Sequence, residues 1–242
     1  MMVEDVHFRL DFSSAFDLGH KALAVNLSDL AAMGATPHFA QVSLALPEEL
    51  THSWLDEFYQ GMTTLGDRFN VEIVGGDLST SPRGVVVDVS VYGSCEVPLT
   101  RKNAQVGDLL LASGPLGLSA TGLTALTEDR KADFPEAVTR HLRPEPRLDL
   151  LADLQKNTNR IHALMDCSDG LVNDALILSR EKLGIHFFPD SFPLHDETHR
   201  MATLRKAHEY ALWGGEDYEL LIAVSANCLL YTSDAADEGL GV

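Results

Sequence analysis

The chain is poor in cysteine, in basic residues and in long apolar runs. Its three cysteines, Cys95, Cys167 and Cys228, are spread through 242 residues with no CxxC pair. That excludes a disulfide framework and a zinc knuckle. Lys and Arg total 18 against 36 Asp and Glu, a formal net charge of −18. A surface this acidic repels nucleic acid and anionic lipid, so neither is expected as a partner. An anionic substrate would need cations to mediate its contact. No uninterrupted apolar stretch approaches the ~20 residues of a membrane-spanning helix. The opening MMVEDVHFRL has no basic segment followed by an apolar one, so no secretion signal is read and a cytoplasmic location is expected. The GxxxxGKS/T and GxGxxG phosphate loops are absent.

What is present is ordinary globular composition, with 45% hydrophobic and 22% charged residues, enough for a sizeable core in one large domain or two small ones. Val6, Phe8 and Leu10 alternate with Asp5, His7 and Arg9, which predicts a strand with His7 on its polar face. The spacing predicts a helix over 17–33, a strand over 39–46, a helix carrying Trp54 to Phe69, a short buried strand over 71–74 and a strand over 85–91. Polar residues 96–108 mark a boundary near residue 97. A second cycle follows: a strand at 109–112, helices near 118–127, 134–142 and up to 156, a strand at 161–165, a helix to about 183, a short strand at 185–188, a helix over 198–212 and a strand at 218–224. The class expected is α/β (α+β) with two domains, 1–97 and 98–227. Residues 228–242 read as an unrelated tail.

Four acidic clusters carry the chemistry. Asn26 and Asp29 share one face of a helix that is otherwise Ala, Leu, Val and Met. A carboxylate buried there needs a partner. Gly75-Gly76-Asp77 ends a strand, where glycine lets the backbone approach a ligand closely. Asp166-Cys167-Ser168-Asp169-Gly170 joins a strand to a helix; a cap explains one of its aspartates and not the other. Gly214-Gly215-Glu216-Asp217-Tyr218-Glu219 places three acids in four positions. Each cluster has an ordinary reading too, as a hydrogen-bonded core Asp, a turn, a cap or a solvated loop. If the fold gathers them, carboxylates ~4 Å apart repel by ~4 kcal/mol at an effective dielectric near 20, and divalent cations must compensate. Oxygen-only ligands select Mg²⁺ held with substrate phosphates, so Mg²⁺-assisted, nucleotide-dependent phosphoryl transfer is expected. Arg101, just after the Val-rich strand, is a candidate phosphate contact, with a solvated surface Arg as the alternative.

The runs VEDVHF, AVNLSDLAAMGATP, GGDLS, LTR, RHLRPEPR, MDCSDGL and WGGEDYEL occur in an order and spacing that resemble the thiamine-monophosphate kinase family. That family belongs with aminoimidazole ribonucleotide synthetase and selenophosphate synthetase. The resemblance covers about residues 3–224. It implies direct transfer of the γ-phosphate of ATP to thiamine monophosphate, several Mg²⁺ ions, and a homodimer whose N-terminal sheets pair across the interface. By motif it implies Asp29, Asp77, Asp166 and Asp169 as Mg²⁺ ligands. Gly76, Asp77, Arg101 and Ser168 would contact ATP, His7 the substrate phosphate and Glu216 the thiamine portion. The pattern departs at Asp5, where the family has Gly. We expect an internal fragment, lacking an upstream Gly-Asp-Asp-Ala run and a downstream aromatic that stacks on thiamine. Two alternatives stay open: another ATP-dependent enzyme of the superfamily such as a selenophosphate synthetase, or an inactive nucleotide-binding and dimerisation fragment.

Overall fold

The structure is a computed structural model that describes residues 1–180 and 182–226. The expected tail, 228–242, lies outside the described residues. The elements are β1 (Met2–Val3), α1 (Ala15–Ala32), β2 (Thr36–Leu46), α2 (His52–Phe69), β3 (Glu72–Thr80) and β4 (Val86–Ser94), then β5 (Asp108–Ala112), α3 (Leu118–Thr127), α4 (Pro135–Leu142), α5 (Leu151–Lys156), β6 (Ile161–Cys167), α6 (Leu171–Leu178), α7 (Asp196–Met201), α8 (Leu204–Trp213) and β7 (Glu219–Ser225). They form a mixed four-stranded sheet, β1-β4-β2-β3, and an antiparallel three-stranded one, β5-β7-β6. The expectation of an α/β chain with two sheet-bearing halves holds.

Alternation sets the first sheet. Ala40, Val42 and Leu44 of β2 and Val87 and Val89 of β4 point into the core, while Gln41, Ser43, Asp88 and Ser90 face outward. Helix α1 covers the inner face. It begins at Ser14, whose hydroxyl accepts from Asp17 N at 3.1 Å while the Asp17 carboxylate returns to Ser14, a reciprocal cap that starts the helix two residues before the apolar stripe does. Helix α1 packs on α2, on β4 and also on β6 of the second sheet. Leu148, Leu154, Leu164 and Leu220 join the α1 residues in a single core, so the apolar interior runs from one sheet to the other.

The α1–α2 crossing depends on two glycines. A Cβ on Gly19 would lie 1.9 Å from the Phe58 carbonyl oxygen, and one on Gly61 would lie 2.0 Å from that of Phe16. The two backbones touch where each helix lacks a side chain.

Five sequence expectations are corrected. The strand over Val6–Leu10 is a turn: Asp5 has a φ of 61°, a left-handed conformation that explains a glycine in the related motif, and His7 N bonds back to Val3 O. His7 therefore sits in a tight turn and on no strand face. The segment 71–74 opens a longer edge strand, β3, that is mostly exposed. Helix α6 stops at Leu178, and Arg180 turns left-handed. Residues 185–188 form no strand. The helix over 198–212 is two, because Ala202 is extended and Thr203 caps α8.

Gly→Ala inside a helix ordinarily stabilises by ~1 kcal/mol. Here Gly19→Ala is expected to cost about 2 kcal/mol or more through overpacking. Urea unfolding of the two proteins measures the sign directly.

Candidate functional site

Three segments meet at the end of the second sheet. The C-terminal half of α1 brings Ser28 and Asp29; β6 ends in Asp166-Cys167 and leads through residues 168–170 into α6; the run 214–218 leads into β7. The last two are zipped together by backbone, with Glu216 N donating to Ser168 O at 2.8 Å and Tyr218 N to Cys167 O at 2.9 Å. Glu216 and Tyr218 adopt left-handed φ values of 64° and 52°. Non-glycine residues pay of order 1 kcal/mol each for such geometry, and it is commonly kept where a site requires it.

Asp166 is buried and accepts from Ser28 Oγ at 2.8 Å, which docks β6 onto α1. Burial, and then the Asp29 carboxylate, push the Asp166 carboxyl up to about 6. Burial also raises Asp29, against the opposing charge of Arg101. The phenol of Tyr218 is raised by burial and by Glu216, Asp166, Asp29 and Asp169 around it. Asp29, Asp166, Asp169 and Glu216 are therefore each near enough for their charge to act on that phenol. Asp169 is exposed at the loop tip, and its amide donates at 3.0 Å to Asp174, a buried residue whose Oδ1 has no partner.

The other expected residues differ in their surroundings. Asp77 is exposed on β3, opposite Ser43, and no hydrogen bond or ion pair among the described residues joins it to the Asp29–Asp166 pair. Gly76 has a packing reason of its own, since a Cβ there would lie 1.7 Å from the Val42 carbonyl oxygen. Arg101 is exposed yet close enough to lower the Asp29 carboxyl. Ser168 is half-buried. His7 is exposed and its Nδ1 accepts from Val3 N at 3.1 Å.

The acids of the 214–219 run are not a solvated turn. Glu219 is fully buried against Arg140 at 2.8 Å, Arg147 at 2.6 Å and Ser113 at 2.6 Å. Asp217, also fully buried, accepts from Gly117 N at 2.6 Å and Ser119 N at 3.0 Å and so caps α3. Glu216 pairs with Lys21 at 3.0 Å. Lys21, Tyr218 and Asp174 escaped the sequence reading; the one available signal was a lone Lys inside the apolar GHKALAV stretch.

The donor set is hard oxygen. Among the described residues no group of three or more His, Cys, Asp or Glu could hold a metal ion by itself. Two carboxylates forced together do fit Mg²⁺, which takes one or two carboxylates and completes its octahedron with water and substrate phosphates.

The raised Asp166 carboxyl gives a pH prediction. Its folded-state value, about 6, lies above the ordinary 3.8, so its contribution to stability is fully present below the lower value and is lost as pH rises through the higher one. With a chelator present, Asp166→Asn is expected to be more stable than the parent at pH 8 by up to about 3 kcal/mol, and the gap closes near pH 4. Denaturant titrations at both pH values check this, and an equal gap at each would contradict it.

Residues 1–95 match the AIR synthase related protein, N-terminal domain, and residues 105–239 match the AIR synthase related protein, C-terminal domain. The thiamine-monophosphate kinase of Bacillus subtilis is 38% identical over 234 residues, covering 93% of this chain and 70% of the relative. That of Rhodopirellula baltica is 37% identical over 227 residues, covering 93% of this chain and 66% of the relative. The solved structure of AaThiL complexed with AMPPCP and TMP superposes with a TM-score of 0.85 at 35% identity, covering 93% of this chain and 74% of that one; the solved thiamine monophosphate kinase from Aquifex aeolicus superposes with a TM-score of 0.84 at 35% identity, covering 93% of this chain and 77% of that one. Two matched domains in the expected order, with identity of this level along nearly the whole chain, place it: the chain belongs to the thiamine-monophosphate kinase family of AIR synthase related proteins.

Proposed function

We infer that this chain carries out ATP-dependent phosphorylation of thiamine monophosphate, giving thiamine diphosphate and ADP. The observation that carries the reading is the meeting of three acidic segments, with Ser28, next to Asp29, bonded to Asp166 at 2.8 Å and Glu216 N bonded to Ser168 O at 2.8 Å, in a family member whose AaThiL relative was solved with AMPPCP and TMP. Two anions, a nucleotide triphosphate and a phosphate monoester, must meet on an acidic surface. The chain's own chemistry says how. Asp29 and Asp166 would hold Mg²⁺, with Asp169 at the mouth. When bound, Mg²⁺ supplies charge neutralisation and Lewis-acid polarisation of the phosphates. Arg101, exposed beside Asp29, offers a guanidinium to the ATP phosphates. Ser168 lies on the same loop, at the start of α6, where helix amides favour a phosphate. Glu216 faces the thiamine portion. No nucleophilic side chain is required, because the acceptor is the substrate's own phosphate oxygen and the protein's part is positioning and electrostatics. The roles of Asp77 at Mg²⁺ and ATP, of Gly76 on ATP and of His7 on the substrate phosphate rest on motif resemblance.

The homodimer is part of this proposal. β3 is a sheet edge with Val74 and Leu78 51% and 57% exposed. The outer sheet face adds Phe39 stacked on Tyr92 at a ring-centroid distance of 4.9 Å. An apolar, unpaired edge of this kind recruits another strand unless it is covered. None of the described helices is long and apolar enough to cross a membrane.

Two measurements test the reading. Calorimetry should show AMPPCP binding in Mg²⁺ that weakens by about tenfold or more, ~1.4 kcal/mol, on chelation or in Asp29→Asn; equal affinity in all three conditions sinks the magnesium role. Sedimentation should show a dimer for the parent and a monomer for Val74→Asp/Leu78→Asp, and a monomeric parent would remove the dimer from the proposal.

A further inference from the structure

Lys21 lies in the most deeply packed helix of the protein and is only 3% exposed. Burying an ammonium costs several kcal/mol unless a well-placed anion compensates, and an apolar side chain of similar length would fill the same space without that cost. Its anion comes from the other half of the chain: Lys21 Nζ donates to Glu216 Oε2 at 3.0 Å. His141 Nδ1 lies 3.5 Å from the same oxygen and 3.0 Å from Ser119 Oγ. Burial, reinforced by Lys21, holds that imidazole down to about 3, so at neutral pH it is uncharged and the ammonium is the carboxylate's single charged partner in this group.

Glu216 is thus divided. Oε2 is fixed by α1 and backed by α4, and the backbone beneath it is held by Ser168 O in a left-handed turn. Oε1 has no protein donor among the described residues, and the side chain remains 27% exposed. Glu216 is also one of the carboxylates around Tyr218. Without its cation it would add a further uncompensated charge beside Asp29 and Asp166. We propose that Lys21, backed by His141, is a positioning residue that ties Glu216 away from the acidic pair and presents Oε1 to the amino and cationic groups of thiamine monophosphate. The inference rests on the reading of Glu216 as a substrate contact and adds the device that makes it one. The Lys21–Glu216 pair is formally neutral, and Oε1 keeps its capacity to accept a donor from the ligand.

The test is calorimetric titration with thiamine monophosphate in the presence of AMPPCP and Mg²⁺, and separately with AMPPCP and Mg²⁺ alone. The proteins are the parent chain, Lys21→Met, Lys21→Arg, Glu216→Gln and the Lys21→Met/Glu216→Gln double variant. We expect Lys21→Met to weaken thiamine monophosphate by about tenfold or more while AMPPCP stays within about twofold. Lys21→Arg should recover most of the loss, and the double variant should be no worse than Glu216→Gln, as coupled residues require. If Lys21→Met binds thiamine monophosphate like the parent while Glu216→Gln does not, the positioning role falls and the Glu216 contact stands. If Glu216→Gln binds like the parent, or the parent itself takes AMPPCP but no thiamine monophosphate, both fall. Parallel loss of both ligands in Lys21→Met and Lys21→Arg assigns Lys21 to folding alone and overturns the proposal. Should Lys21→Met fail to fold, Lys21→Arg and His141→Gln carry the same comparison.

Discussion

Helix α1 is clasped between two sheets, and nearly everything polar in the site is fastened to it. One flank packs on α2 through the paired glycine contact; others meet β4 and β6. A helix enclosed in this way should carry apolar residues all round, and α1 almost does. Its exceptions are the informative ones. His20 reaches the Pro144 carbonyl at 3.0 Å, Lys21 reaches Glu216, and Ser28 reaches Asp166. Asp17 meets Arg143 at 3.3 Å. Each of these bonds runs from the first half of the chain to the second, so the packing that closes the core also sets the register between the two halves of the site.

Charge explains why the site has its shape. The fold spends its strong cations on structure. Arg140 and Arg147 enclose Glu219, and Arg68 pairs with Glu145 near the His20–Pro144 contact. What remains is a set of carboxylates with few cations near them; burial, and then the neighbouring Asp29 charge, raise the proton affinity of Asp166. A cation, or a cation carrying a phosphate, is what the arrangement lacks electrostatically. The strained turns at Glu216 and Tyr218 point the same way, since backbone conformations of this kind persist where surrounding contacts over-determine them.

Legibility differed from residue to residue for physical reasons. Helices α1, α2 and α3 and strands β2, β4 and β7 were readable because a continuous apolar face imposes a period on the sequence. The turn at Asp5 was not, because alternation over a few residues cannot reveal one left-handed backbone angle. The break before Thr203 escaped for a related reason: a cap is a single side chain set within an otherwise helical pattern. Asp29 and Asp166 were visible as acids in apolar surroundings, whose burial demands an explanation. Asp217 and Glu219 looked identical to Glu216 in the sequence, yet one caps a helix, one holds two arginines and one pairs with a buried lysine. Only three-dimensional neighbours separate those roles.

By itself the sequence determined the α/β class, the families of apolar faces, the acidic net charge, and the motifs that join the chain to its kinase relatives. These follow from composition and local period, which are properties of the chain in one dimension. The tertiary structure alone decided that Ser28, next to Asp29, bonds Asp166, that Asp77 sits on an edge strand, and that a buried Lys21 holds Glu216. Such pairings join residues up to 195 positions apart. Nothing in the local pattern encodes them, because they are fixed by how one enclosed helix is packed between two sheets.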